Sequence, residues 1–189
     1  MAKRSTSVAW SMLAIYAASL ACRTVLAVLN GNIAGNATYA LYLPAFTAFM
    51  VVGALVVARR PANPIGWLFS AIALLSLGAS LAVEYLQYVS VTRAGPLPFA
   101  VGAAWYLAWA AFPVFGLTFT FTPLLFPTGR LPSRRWRPIA WLAAIEIAVA
   151  SVLAALQPTL PLETRDAPFP IPSGSADCPS LRRARWRPS

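Results

Sequence analysis

Five apolar runs, at about residues 8–29, 38–58, 66–90, 99–126 and 138–157, constrain this chain more than any other feature. An α-helix rises about 1.5 Å per residue, so roughly 20 apolar residues cross about 30 Å of hydrocarbon. Only 11% of the 189 residues are charged and 59% are hydrophobic, against about 25% charged in an ordinary soluble domain. The predicted fold is therefore an all-α integral membrane protein with about five transmembrane helices. They form one domain over residues 1–157, followed by a disordered Pro/Arg-rich tail over residues 158–189.

The loop Phe126-Pro127-Thr128-Gly129-Arg130-Leu131-Pro132-Ser133-Arg134-Arg135-Trp136-Arg137-Pro138 sets the predicted orientation. Short loops rich in arginine stay cytoplasmic because cations translocate poorly. Parity then places Lys3, Arg4, Arg59 and Arg60 on the same side and Arg93 and Arg165 on the other. The expectation is a multi-pass protein of a bacterial cell membrane with a cytoplasmic N-terminus. Arg182, Arg183, Arg185 and Arg187 run against this count, since five spans place them outside. Lys3 and Arg4 before an apolar stretch also suggest a signal peptide, but the stretch is too long, and Arg23 directly follows the lipoprotein-like Ser19-Leu20-Ala21-Cys22. An uncleaved first helix is expected.

Local signals mark the loops. Asn30-Gly31-Asn32-Ile33-Ala34-Gly35-Asn36 has the composition of a turn. In Pro61-Ala62-Asn63-Pro64-Ile65-Gly66-Trp67, Asn63 is placed to cap the third helix and Pro64 to occupy its first turn. Pro138-Ile139-Ala140-Trp141 repeats that start chemistry at the fifth. The fourth run is longer than one crossing requires and contains Pro113, Gly116 and Pro123, which predicts a tilt or kink. Thr118, Thr120 and Thr122 are placed to bond the carbonyls that proline leaves unpaired.

The chain has no histidine and only two cysteines, Cys22 and Cys178. That composition offers no zinc site and neither Ser/His/Asp nor Cys/His chemistry, so no cofactor, metal or catalytic residue is expected. The net charge of +10 lies in clusters flanking apolar runs, which points to lipid headgroups and away from nucleic acid. Arg59, Arg60, Arg130, Arg134, Arg135 and Arg137 are read as topology and headgroup residues. The expected partners are the bilayer and either a second copy or another membrane protein.

Ionisable groups within a span are costly and usually functional, which singles out Arg23, Glu84 and Glu146. Arg23 and Glu84 fall at similar depth in the outer half of the bilayer. They could form an ion pair between the first and third helices. The plainer alternative, which we favour from sequence, has Arg23 snorkelling to headgroups and Glu84 at the water interface beside Tyr85, Gln87 and Tyr88. Glu146 lies too deep to snorkel, and is expected either to bind a proton or ligand or to bond a threonine of a neighbouring helix. Trp105, Tyr106, Trp109, Phe112 and Phe115 recur at helical spacing, as a packing stripe more readily than as a ligand pocket.

Arg59-Arg60-Pro61-Ala62-Asn63-Pro64-Ile65-Gly66-Trp67 and, two spans later, Leu124-Leu125-Phe126-Pro127-Thr128-Gly129-Arg130-Leu131-Pro132-Ser133-Arg134-Arg135-Trp136 resemble the multi-pass N-terminal membrane region of bacterial two-component sensor histidine kinases. The resemblance covers about residues 8–162. It implies the input half of a signalling protein, truncated before a sixth span and the kinase, with the tail from about Ala176 resembling a shifted frame. Kinase activity is not implied, because the chain lacks both a phosphoacceptor histidine and a glycine-rich ATP-lid region. The expected function is non-catalytic, with an apolar ligand or a bilayer property as the signal. The alternatives are a small transporter or channel component, and a membrane anchor for a soluble partner.

Overall fold

The structure is a computed structural model that describes residues 2–31, 37–92, 99–126 and 128–157. The predictions for residues 32–36, 93–98 and 158–189, and for the Lys3 and Arg4 side chains, lie outside the described residues. Among the described residues every regular element is helical. Helix α1 spans Ala2–Leu29, α2 Ala37–Arg59 and α3 Pro64–Gln87, which runs on into a π-helical turn at Tyr88–Thr92. Helix α4, Ala100–Gly116, continues through a second π turn, Leu117–Phe121, into the short α5, Thr122–Leu125. A 3₁₀ turn at Arg134–Trp136 leads into α6, Arg137–Ala155. Taken as continuous rods, five helices are long and apolar enough to cross a membrane.

Helix α1 begins at Ala2, earlier than the apolar run near Val8, because no proline or glycine interrupts the polar residues before it. Its other end closes at Asn30 and Gly31, whose N–H groups donate to Leu26 O and Val28 O. At the start of α3, the Asn63 side chain accepts the Ile65 N–H at 3.0 Å and Pro64 fills the first turn. Proline also explains the break in α4. Downstream of Pro113 the backbone widens into the π turn, and the Thr122 hydroxyl donates to Leu117 O at 3.1 Å. Thr118 does not share that role, since its buried hydroxyl has no hydrogen-bond partner.

Helix α3 is the hub, packing against α1, α2 and α4, while α6 packs mainly on α4. The best-filled core lies between α1, α2 and α3, where Ala9, Tyr16, Met50, Ala54, Val57, Ala73 and Leu77 are buried. Helices α2 and α3 come very close there because two glycines face the contact. A Cβ built on Gly53 would lie 2.8 Å from Ser70 N, and one on Gly66 would lie 2.9 Å from Val57 N. Away from this core the surface is strongly apolar. On α6, Trp141 is 70% exposed and Leu142 67%, a surface that water would not tolerate over a whole helix.

Gly53→Ala and Gly66→Ala should each destabilise the bundle by about 1–3 kcal/mol, since the methyl meets backbone. Gly102→Ala should be neutral or slightly stabilising, because a Cβ there meets nothing within 4 Å. Unfolding of the purified variants in a mixed-micelle denaturant series measures the difference.

Candidate functional site

Helical spacing puts Ser80 and Glu84 on one face of α3, and Arg23 and Asn30 on one face of α1. The packing of α1 on α3 brings these four residues together. Arg23 Nη2 lies 3.1 Å from Glu84 Oε1, and Arg23 Nε donates to Ser80 Oγ at 3.0 Å. Asn30 Nδ2 donates to both the carboxylate and the backbone of Glu84, at 3.1 Å to Oε2 and 3.0 Å to O. Only 2% of the Glu84 side chain and 12% of that of Arg23 remain exposed. The favoured snorkelling reading is thus corrected. Glu84 is among the most deeply buried side chains, and Arg23 turns toward it because a carboxylate, a hydroxyl and an amide together satisfy the two charges better than a distant headgroup would.

Ser80 also borders a cavity of about 260 Å³ over the middle of α3. Tyr42, Leu43 and Phe46 of α2 form one wall, and Leu107, Ala110, Ala111 and Val114 of α4 the other. The cavity exists because α2 and α4 both lean on α3, and Ala79, Ala110 and Ala111 are too small to close the space between them. Two serines of its α3 wall have hydrogen-bonding capacity left. The Ser76 hydroxyl has no partner, and Ser80 Oγ, which accepts from Arg23, retains its own proton to donate. Tyr16 also lines the cavity, but its hydroxyl is joined to Thr47 Oγ1 at 3.0 Å, and Thr47 in turn donates to Leu43 O.

Glu146 stands apart from this arrangement. It faces a second groove, between α4 and α6, and makes no bond to a neighbouring threonine. The aromatic stripe of α4 is chiefly structural. Trp105 Nε1 donates to Ala155 O at 2.8 Å, tying α4 to the end of α6, and Tyr106 OH donates to Leu75 O at 3.0 Å, passing over Gly78. Trp109 packs edge-on to both Trp105 and Tyr106, with centroids 5.7 and 5.2 Å apart. Phe112 instead lines the groove that holds Glu146, and Phe115 borders both that groove and the cavity.

At the opposite end from Arg23 and Glu84, the two sequence motifs meet. Gly129 has φ +72° and is buried directly against Asn63 and Pro64, where a Cβ would collide with the Asn63 amide. Its N–H donates to Leu125 O at 2.7 Å, closing α5. Around this junction Arg59, Arg60, Arg130, Arg134, Arg135 and Arg137 are all exposed. No group of three potential metal-ligating side chains comes together among the described residues.

Sequence reasoning singled out Arg23 and Glu84 but missed Ser80 and Asn30 as their partners. The i, i+4 spacing of Ser80 and Glu84, and the two-turn spacing of Arg23 and Asn30, are the signals that would have found them. The cavity residues Ser76 and Tyr16 carried no comparable signal. The chain matches no protein-family model, no curated protein and no solved structure.

Arg23→Ala and Glu84→Ala should each cost about 3 kcal/mol of unfolding free energy, because each strands the other charge. The double variant should lose much less than the sum. A double-mutant cycle in micelles measures the coupling, and additive losses would show that the two residues act independently. Gly129→Ala should cost about 1–2 kcal/mol for the left-handed backbone alone, with the Asn63 collision adding to it.

Proposed function

We propose that the chain is a non-catalytic, membrane-embedded input module, similar in kind to the membrane region of a sensor histidine kinase, and that it binds an apolar ligand between its spans. In this reading the five helices cross a bacterial cell membrane, with the N-terminus and the arginine-rich junction on the cytoplasmic side. The exposed arginines there have no acidic residue in the two loops that carry them, which suits an anionic membrane surface.

The observation that carries the proposal is the α2–α3–α4 cavity. It is apolar along its walls and has two hydroxyls able to donate on its α3 side, one of them bonded to Arg23. A ligand with an apolar body and a hydrogen-bond acceptor satisfies both features. The same ligand would press on Ser80 and hence on the contact between α1 and α3, giving binding a route to helix movement. With no histidine among its 189 residues, the chain carries no phosphoacceptor histidine of its own.

A photoreactive, alkyne-tagged sixteen-carbon fatty acid tests the reading on the full chain in nanodiscs. Labelling should be saturable and should map by mass spectrometry to the segments containing Phe46, Ala79 and Val114. Ala79→Phe, which fills the cavity, should abolish that labelling at an unchanged melting temperature. Labelling spread evenly over lipid-facing residues, or left intact by Ala79→Phe, would overturn the proposal.

A further inference from the structure

Glu146 sits at the middle of α6, nine residues from Arg137 and nine from Ala155. At about 1.5 Å per residue it is some 13 Å from either helix end, beyond the reach of snorkelling. It is exposed and makes no ion pair or hydrogen bond among the described residues, although a carboxylate at such depth normally has a partner. Among the described residues no cation lines its groove. Arg23 is committed to Glu84, and Arg137, on the same helix, lies nine residues away.

The surroundings of Glu146 narrow what the missing counter-charge is. The groove has a volume of about 270 Å³, a small-molecule dimension. Phe112 and Phe115 border it from α4, with Phe115 stacked on Phe119 at a centroid distance of 6.0 Å. Gly116 lets α6 close the floor, since Ile147 lies directly against the position its Cβ would take. Thr120 supplies the one hydroxyl. A single carboxylate and a single hydroxyl are too few oxygens for an inorganic cation, which takes six or so. Phenyl faces beside a carboxylate do suit an organic cation that arrives through the lipid.

We propose that the α4–α6 groove is a binding site for hydrophobic organic cations, with Glu146 as counter-ion, Phe112 and Phe115 as the aromatic wall and Thr120 as an orienting hydroxyl. Among the described residues Glu146 is the only titratable side chain lining the groove from either helix. The groove shares Ala111 and Phe115 with the α2–α3–α4 cavity, but Glu146, Phe112 and Thr120 line the groove alone, and the proposal does not depend on the function proposed for the cavity.

Tetraphenylphosphonium is the probe, with binding to the purified full chain measured by equilibrium dialysis. Binding to the wild type should be saturable. Glu146→Gln should weaken it about tenfold or more, and Phe115→Leu about threefold, both at unchanged melting temperature. Neutral triphenylphosphine oxide should bind wild type and Glu146→Gln alike. Absence of saturable binding to the wild type, or equal affinity for tetraphenylphosphonium in Glu146→Gln, would overturn the proposal, and Ala79→Phe should leave the affinity unchanged.

Discussion

The ion pair between Arg23 and Glu84 is the constraint on which the rest of this arrangement depends. Placing one charge at the centre of a membrane helix costs about 2.5–3.5 kcal/mol on insertion scales, so neither residue is tolerated cheaply alone. Together, with Ser80 and Asn30 filling the remaining hydrogen-bonding positions, they fix the rotation of α1 about its axis and its register along α3. Apolar contacts alone would leave both loosely specified, because lipid tails compete with side chains for the same packing.

With α1 held, the other contacts of α3 divide by kind. Toward α2 they are close and glycine-mediated at Gly53 and Gly66. Toward α4 they are looser, with Tyr106 reaching across Gly78 as the main polar tie. The cavity lies between the tight contact and the loose one. Its polar edge is Ser80, so the residue that completes the ion-pair network is also the one an occupant would touch. Helix α6 is held chiefly by α4, which leaves the second groove open at its side.

Much of the fold was legible because apolar length and proline or glycine punctuation act locally. Asn63 and Pro64 announced the start of α3, and Pro113 announced the irregularity that the structure shows as a π turn. The site was legible only in part. Depth along a helix can be counted from the sequence, which identified Arg23, Glu84 and Glu146, but rotation about the helix axis cannot. Whether Arg23 faces Glu84 or a headgroup depends on that rotation, and so the less specific reading was preferred. The cavity was illegible for a related reason. It arises from the lateral spacing of α2 and α4 across α3, which small residues such as Ala79 and Ala110 permit but do not dictate.

The two motifs around Asn63 and Gly129 are far apart in sequence, yet Gly129 packs on Asn63 and Pro64, so the loops that carry six exposed arginines share one end of the bundle. In the proposed topology that end lies at the cytoplasmic surface and the Arg23–Glu84 pair toward the opposite one, with five helices crossing between. A topology map using reporter fusions after Arg60, Arg93 and Arg137 tests this most directly. The account predicts that the fusions at Arg60 and Arg137 report from the cytoplasm and the fusion at Arg93 from the outside. Fusions at Arg60 and Arg137 on opposite sides, or a cytoplasmic Arg93, would contradict it.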